Sequence, residues 1–145
     1  MGLIERVGPG RTAIDTSIFI YFIERHPTFR AEVAPLFQEA DAGERELVTS
    51  SLTLLELLVV PFRTGDRRLA DRYEALLTRS RGVTMVDLTR AHLKAAAHLR
   101  ATSTVRTPDA VQLAVALTSR CVAFVTNDRR LPTVPGLRIV DLATD

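Results

Sequence analysis

Short, mostly β-branched apolar runs alternate along this chain with longer stretches of helical spacing, and that alternation narrows the fold more than any other feature. The runs fall at residues 12–14, 46–49, 83–86, 122–125 and 137–140, and each has the length of a strand. Between them, residues 17–25, 29–42, 52–62, 66–80, 90–101 and 109–119 read as helices. Ile18, Phe19, Phe22 and Ile23 form an i, i+3, i+4 face in the first, as do Val111, Ala114, Val115 and Thr118 in the last. Strands separated by helices pair in parallel and are covered on both faces. The expected class is therefore α/β, with a central parallel sheet of about five strands flanked by helices.

No repeat, low-complexity tract or Gly/Ser linker interrupts the pattern, so a single domain is expected over residues 11–141, after an N-terminal extension at residues 1–10. Glu5, Arg6, Gly8, Pro9 and Gly10 stand where a secretory peptide needs an apolar run, and the extension reads as a loose segment. Arg6 also occupies the position where a myristoylation signal carries Ser or Thr. The 145 residues, 46% hydrophobic and 25% charged, suffice for one core. With 19 Lys+Arg against 17 Asp+Glu the net charge is only +2, which excludes a polycationic coat. A nucleic-acid partner would have to be met by a local patch. A single cysteine, Cys121, excludes a disulfide framework and any CxxC site and reads as core packing in a reducing compartment. The longest apolar stretch, residues 52–62, is broken by Glu56 and Pro61 and is far shorter than the roughly 20 residues of a membrane span. A cytoplasmic location is expected.

In an open parallel sheet, ligands bind beyond the carboxyl ends of the strands. Asp15 follows the first run, in Asp15-Thr16-Ser17, and Asp128 follows the fourth, in Thr126-Asn127-Asp128. Glu56 is the only charge between Leu47 and Phe62, and Asp109 opens a helix in Thr107-Pro108-Asp109-Ala110. Each has a local explanation. Asp15 can cap the helix after it, and Glu56 completes an S/T-x-x-E capping box with Thr53. Thr107 suits an N-cap, with Pro108 in the first helical position and Asp109 facing the positive end of the helix dipole. Asp128 after Asn127 suits a turn. Taken jointly, all four acids can reach the same rim of the sheet from separate segments. Carboxylates so gathered repel unless protons or a hard cation offset them, and oxygen ligands suit Mg²⁺ or Mn²⁺. Such a site can polarise a phosphodiester.

The order Ile14-Asp15-Thr16-Ser17, Thr49-Ser50 leading to Thr53-Leu54-Leu55-Glu56, Thr107-Pro108-Asp109-Ala110 and Val125-Thr126-Asn127-Asp128 resembles PIN-domain ribonucleases, above all the VapC-type toxins of bacterial toxin–antitoxin pairs. The resemblance spans nearly the whole chain from about Thr12 to Val140. It implies a Mg²⁺- or Mn²⁺-dependent endoribonuclease acting on RNA, a cognate antitoxin that blocks the acidic site, and a homodimer. By this match Asp15, Glu56, Asp109 and Asp128 are the catalytic and metal-binding acids, and Thr126 and Ser17 supply supporting hydroxyls. The chain departs from the family pattern in the ten or so residues before its first strand and in Arg129-Arg130-Leu131, where many members place an aromatic.

Arg106, Arg129 and Arg130 lie beside these acids in sequence and are candidates for RNA phosphate contact. Arg63, Arg67, Arg68, Arg72, Arg79 and Arg81 face only Asp66, Asp71 and Glu74, a second basic segment that suits either an RNA backbone or a solvated face with pairs such as Arg67–Asp71. His26, His92 and His98 are scattered and lack a one-face metal spacing. The alternative from a different class is a non-catalytic module of the same fold that docks a basic partner through its acidic rim. A receiver-type phosphoacceptor fits less well, because Asp15 stands between Ile14 and Thr16 rather than beside a second acid.

Overall fold

A computed structural model of the chain describes residues 2–142; Met1 of the extension and residues 143–145 lie outside the described part. The elements follow in the order α1 (Leu3–Val7), β1 (Thr12–Ile14), α2 (Thr16–Ile23), α3 (Arg30–Asp41), β2 (Leu47–Ser50), α4 (Ser51–Thr64), α5 (Arg67–Arg79), β3 (Val83–Val86), α6 (Arg90–Thr102), α7 (Thr107–Thr118), β4 (Ala123–Thr126) and β5 (Arg138–Asp141). All five strands are parallel, in the order β3-β2-β1-β4-β5. The chain leaves β1 toward β2 on one side and returns to β4 on the other. That reversal puts the topological switch point between β1 and β4, where Ile14 pairs with Val125.

Side chains alternate across the sheet with period two, and the core divides accordingly. Ile14, Leu47 and Val125 point into one cluster with Ile18, Phe19, Leu36 and Tyr73. Ala13, Val48 and Phe124 point the other way, against Leu113, Ala114 and Val115 of α7. Helix α7 is buried without interruption from Ala110 to Ala116, and its alanines let it lie close to the strands. Helix α5 shows the ordinary amphipathic case: Asp66 caps it through Leu69 N–H at 3.0 Å, and Ala70, Tyr73, Leu76 and Leu77 form its buried face. Gly82, at φ +77°, leads into β3 so close to α3 that an added Cβ would meet the Ala40 carbonyl oxygen at 2.5 Å.

Three strand boundaries lie one residue later than the apolar runs suggest, so that Ser50, Thr126 and Asp141 close β2, β4 and β5. Polar residues end these strands because their backbones still pair after the apolar pattern stops. The extension is not loose. It carries α1, whose Leu3 and Val7 are one helical turn apart and both buried, packed in the cluster that includes Val33 and Leu36 of α3. Arg6 donates to the Asp141 carbonyl at 2.8 Å and pairs with Glu32 at 3.0 Å, while Arg138 donates to the Val7 carbonyl. The glycines and proline at positions 8–10 break this helix from β1 without freeing it from the core. Cys121 is buried, as core packing requires. No helix among the described residues is long and apolar enough to cross a membrane. Arg67 and Asp71 form no ion pair among the described residues.

Candidate active site

Asp15 leaves the end of β1 with its backbone N–H still donating to the Val125 carbonyl of β4 at 3.0 Å, which fixes it at the switch point. Its carboxylate accepts from Thr16 N–H at 2.7 Å through Oδ1 and from the Thr126 hydroxyl at 2.8 Å through Oδ2. The capping role and the place on the rim therefore coexist. Thr126 also accepts from Asp128 N–H at 3.0 Å, so a single hydroxyl at the end of β4 ties the two aspartates together. Burial pushes the Asp15 carboxyl up to about 6, against the lowering effect of the Thr126 and Thr16 hydrogen bonds, with smaller upward contributions from Asp109 and Glu56.

Glu56 does not close a capping box. Helix α4 starts at Ser51 with Ser50 as its cap, so Thr53 lies inside the first turn and Glu56 one turn further on. There Glu56 Oε1 accepts from the Thr16 hydroxyl at 2.6 Å. Beneath it runs a buried polar chain: Thr53 Oγ1 lies 2.8 Å from Thr49 Oγ1 and 3.1 Å from Thr16 Oγ1, and accepts from Gln112 Nε2 at 2.7 Å. Ser50 donates to Gln112 Oε1 at 3.1 Å. The network joins β2, α2, α4 and α7, and losing a partner would leave buried polar groups unsatisfied, at about 1–3 kcal/mol each.

Asp109 stands in the first turn of α7, whose N-cap is Arg106 rather than Thr107, one residue earlier than the sequence pattern suggests. Burial raises its carboxyl above the ordinary value, and Asp128 and Glu56 add to the shift while Arg130 and Arg106 oppose it. Asp128 behaves oppositely. Arg130 donates to both of its oxygens, Nε to Oδ1 at 3.0 Å and Nη2 to Oδ2 at 3.3 Å, and the Arg130 N–H adds a bond at 2.9 Å. These bonds hold the Asp128 carboxyl below its usual range.

The four acids are thus electrostatic neighbours: Asp15 feels Asp109 and Glu56, and Asp109 feels Asp128 and Glu56. Among the described residues no three of His, Cys, Asp or Glu lie close enough to hold an ion between them. The donor set nevertheless fits a hard dication in its chemistry: every candidate ligand is a carboxylate, and Asp15, Glu56 and Asp109 have no ion-pair partner among the described residues.

The remaining sequence candidates fall around two clefts that share the Asp128–Arg130 wall. A cleft of about 200 Å³ is lined by Arg106, Asp109, Asp128 and Arg130. A second, of about 490 Å³, is lined by Asp15, Ser17, Asp128 and Arg129. Arg129 pairs with Asp141 at 3.2 Å. Ser17 reaches no acid: its Oγ is buried without a hydrogen-bond partner among the described residues. His26 and His92 bind local backbone, the first accepting from Phe29 N–H at 3.1 Å and the second from Thr89 N–H at 3.0 Å. Sequence reasoning missed Thr16 and Gln112. Gln112, the one amide in an otherwise apolar helical stretch, was the available signal; Thr16 offered none beyond its place after Asp15.

A five-stranded, all-parallel sheet flanked by seven helices among the described residues, with Asp15 at its switch point, defines an α/β domain. The chain belongs to the PIN domain family, whose model matches residues 12–137. No curated protein sequence matches it. Its fold is that of VapC toxins. VapBC2 from Rickettsia felis, bound to a DNA fragment from its promoter, superposes with a TM-score of 0.69 at 18% identity over 90% of this chain and 98% of that one. A toxin–antitoxin complex from Klebsiella pneumoniae gives 0.65 at 19% identity over 87% and 94%. VapC20 of Mycobacterium tuberculosis, a sarcin–ricin loop cleaving toxin, gives 0.66 at 17% identity over 82% and 91%. At these identities the likeness is one of fold.

Proposed function

We propose that the chain is a metal-dependent endoribonuclease, the toxin of a toxin–antitoxin pair, working at the rim built from Asp15, Glu56, Asp109 and Asp128. What supports this reading is that carboxylates from four segments act on one another electrostatically, with Asp15, Glu56 and Asp109 in no ion pair among the described residues. Acids whose charged form is disfavoured by burial and by neighbouring carboxylates, as at Asp15 and Asp109, cluster at functional sites, where a cation or a reaction uses them. Asp15, Asp109 and Asp128 would hold Mg²⁺ or Mn²⁺, and the ion would supply the positive charge that draws in and polarises a phosphodiester.

The chain's own groups supply the rest. Glu56 is held from one side, with Oε1 taken by Thr16 at 2.6 Å and approached by Gln112 Nε2 at 3.5 Å. Its Oε2 is left to accept a proton from an attacking water. That water forms the new bond to phosphorus, the P–O3′ bond breaks, and O3′ takes a proton from solvent, leaving a 5′-phosphate and a 3′-hydroxyl. Thr126 keeps Asp15 and Asp128 in register, and Arg106, Arg129 and Arg130 border the two clefts where phosphates would lie. An antitoxin partner is supported by the Klebsiella neighbour being a toxin–antitoxin complex. An apolar stripe on α4, with Leu55, Val59 and Phe62 exposed at i, i+4 and i+7, supports self-association.

The test is cleavage by purified protein. RNA should be cut with Mg²⁺ or Mn²⁺ and spared in EDTA, double-stranded DNA should be a poor substrate, and the product of an adjacent small open reading frame should suppress the activity. Cleavage that persists unchanged in EDTA would overturn the assignment.

A further inference from the structure

The cleft beside Asp15 carries groups that hydrolysis does not need. Tyr21 lines it, one turn of α2 beyond Ser17, together with Asn127 and Arg129. The Tyr21 ring packs against Phe29 at 5.0 Å and meets the His26 ring edge-on at 4.8 Å. His26 is itself fixed by Thr28 N–H and Phe29 N–H, each donating to Nδ1 at 3.1 Å. The Tyr21 hydroxyl accepts from Asn127 Nδ2 at 2.8 Å. Tyr21 is therefore a braced aromatic wall rather than a mobile side chain. At the base of the cleft, Ser17 Oγ and Asn127 Oδ1 are buried with no hydrogen-bond partner among the described residues. Native proteins rarely leave such groups unpaired, and where they do a ligand, water or ion commonly completes them. On the outer side stands the Arg129 guanidinium, 63% exposed and oriented by Asp141.

A braced ring, unpaired hydrogen-bonding groups and a cation at the mouth match three parts of one ligand: a flat heteroaromatic face, its polar edge and a phosphate. A bare phosphate would leave the ring and the amide without a role. The volume, about 490 Å³, lies in the range of sites for small aromatic ligands. We infer that this cleft is a nucleobase subsite, in which an unpaired base next to the scissile phosphate stacks on Tyr21 and presents its edge to Ser17 and Asn127. The ring is held in place by Phe29 and His26. The subsite rests on the ribonuclease reading and adds to it a contact with one base, unpaired or turned out of its stack, beside the scissile phosphate.

The experiment separates base contacts from backbone contacts. Fluorescently labelled single-stranded RNA is titrated with the Asp109→Asn protein, with and without Mg²⁺, using oligonucleotides that carry one abasic ribose at each position in turn. All phosphates are retained. Removing the base at one position should weaken binding about tenfold, as expected for a lost stacking contact. Tyr21→Ala should bind the intact oligonucleotide about tenfold more weakly and lose that discrimination, whereas Tyr21→Phe should keep it. The wild-type chain provides a check that does not depend on a variant folding. It has only two tyrosines, and Tyr73 is buried, so ring-¹³C labelling lets the Tyr21 signals be followed directly. They should shift with nucleoside 5′-monophosphates and stay in place with ribose 5-phosphate. Equal binding of every abasic oligonucleotide, or discrimination that survives Tyr21→Ala, would overturn the subsite and leave the ribonuclease reading standing. Failure of the wild-type chain to bind or cut any RNA with Mg²⁺ would overturn both.

Discussion

At the end of the sheet where the strands begin, Arg45 is folded inward with its side chain only 4% exposed, paired to Glu39 at 2.7 Å and donating to Thr12 Oγ1 at 2.7 Å and the Gly10 carbonyl at 3.1 Å. Beside it Arg11 pairs with Glu46 at 3.2 Å. At the end where the strands finish, Asp15, Glu56 and Asp109 form no ion pair among the described residues, and burial pushes Asp15 and Asp109 toward the protonated form. Both ends bury charge. The first pairs its buried arginine, whereas at the second only Asp128 of the four acids is in an ion pair among the described residues. A buried charge matched by its own partners is part of the scaffold, whereas buried charges of one sign left unmatched destabilise the free chain and suit a ligand that brings the missing charge.

The largest effect should come from unbalancing the matched end. Arg45→Ala leaves Glu39 and Thr12 facing a void, and its cost should be about 3 kcal/mol in urea unfolding, with cleavage per folded molecule unchanged. A loss below about 1 kcal/mol would show that the pair is solvated and that the two ends differ less than the geometry indicates.

A somewhat smaller effect should appear in the pH dependence at the unmatched end. The Asp15 carboxyl sits near 6 in the folded chain against 3.8 as its ordinary value, so the folded state binds this proton more tightly than the unfolded state. The stabilisation it provides is complete below about pH 4 and is lost as the pH rises through 6. Each tenfold difference in proton affinity between the two states is worth about 1.4 kcal/mol, so the loss is of the order of 2–3 kcal/mol. In EDTA, the difference in unfolding free energy between wild type and Asp15→Asn should change by that amount between pH 4 and pH 7. A pH-independent difference would place Asp15 in open solvent.

The smallest stability change, and the most informative in sign, belongs to Asp109. If it served only the α7 dipole, Asp109→Asn would cost roughly 0.3–1 kcal/mol. Burial and the carboxylates of Asp128 and Glu56 both disfavour its charge, so the substitution should instead leave the metal-free chain as stable or about 1 kcal/mol more stable. Added Mg²⁺ should stabilise the variant less than wild type, and RNA cleavage should be lost. Melts with EDTA and with Mg²⁺, beside a cleavage assay, check all three. A destabilised but active variant would return Asp109 to the helix terminus.

Much of the architecture was legible because its causes are local. Each apolar run reports a strand that must be covered on both faces, and the helical periodicity between runs reports the covering layers. Asp15 and Asp128 were findable because a strand's carboxyl end is marked in the sequence by the first polar residues after the run. Glu56 and Asp109 stood out as acids in apolar or helix-opening settings, but their local explanations were wrong in detail: Ser50 and Arg106 are the caps. The α1 helix was hidden because five residues between glycines carry little propensity. It forms because Leu3 and Val7 find a buried face beside α3.

By itself the sequence determined the alternation of strands and helices, the parallel α/β class and the four acids, since backbone preference and side-chain period act between near neighbours. Only the tertiary structure decided which of these groups meet. Thr126 reaches Asp15 across 111 residues, Gln112 reaches Thr53 across 59, and Thr16 reaches Glu56 across 40. Those contacts depend on strand order and on which way each side chain leaves the sheet. The same holds for charge: Arg130 pairs with Asp128 while Asp109 and Asp15 are in no ion pair among the described residues, a result of burial and distance that no spacing along the chain encodes.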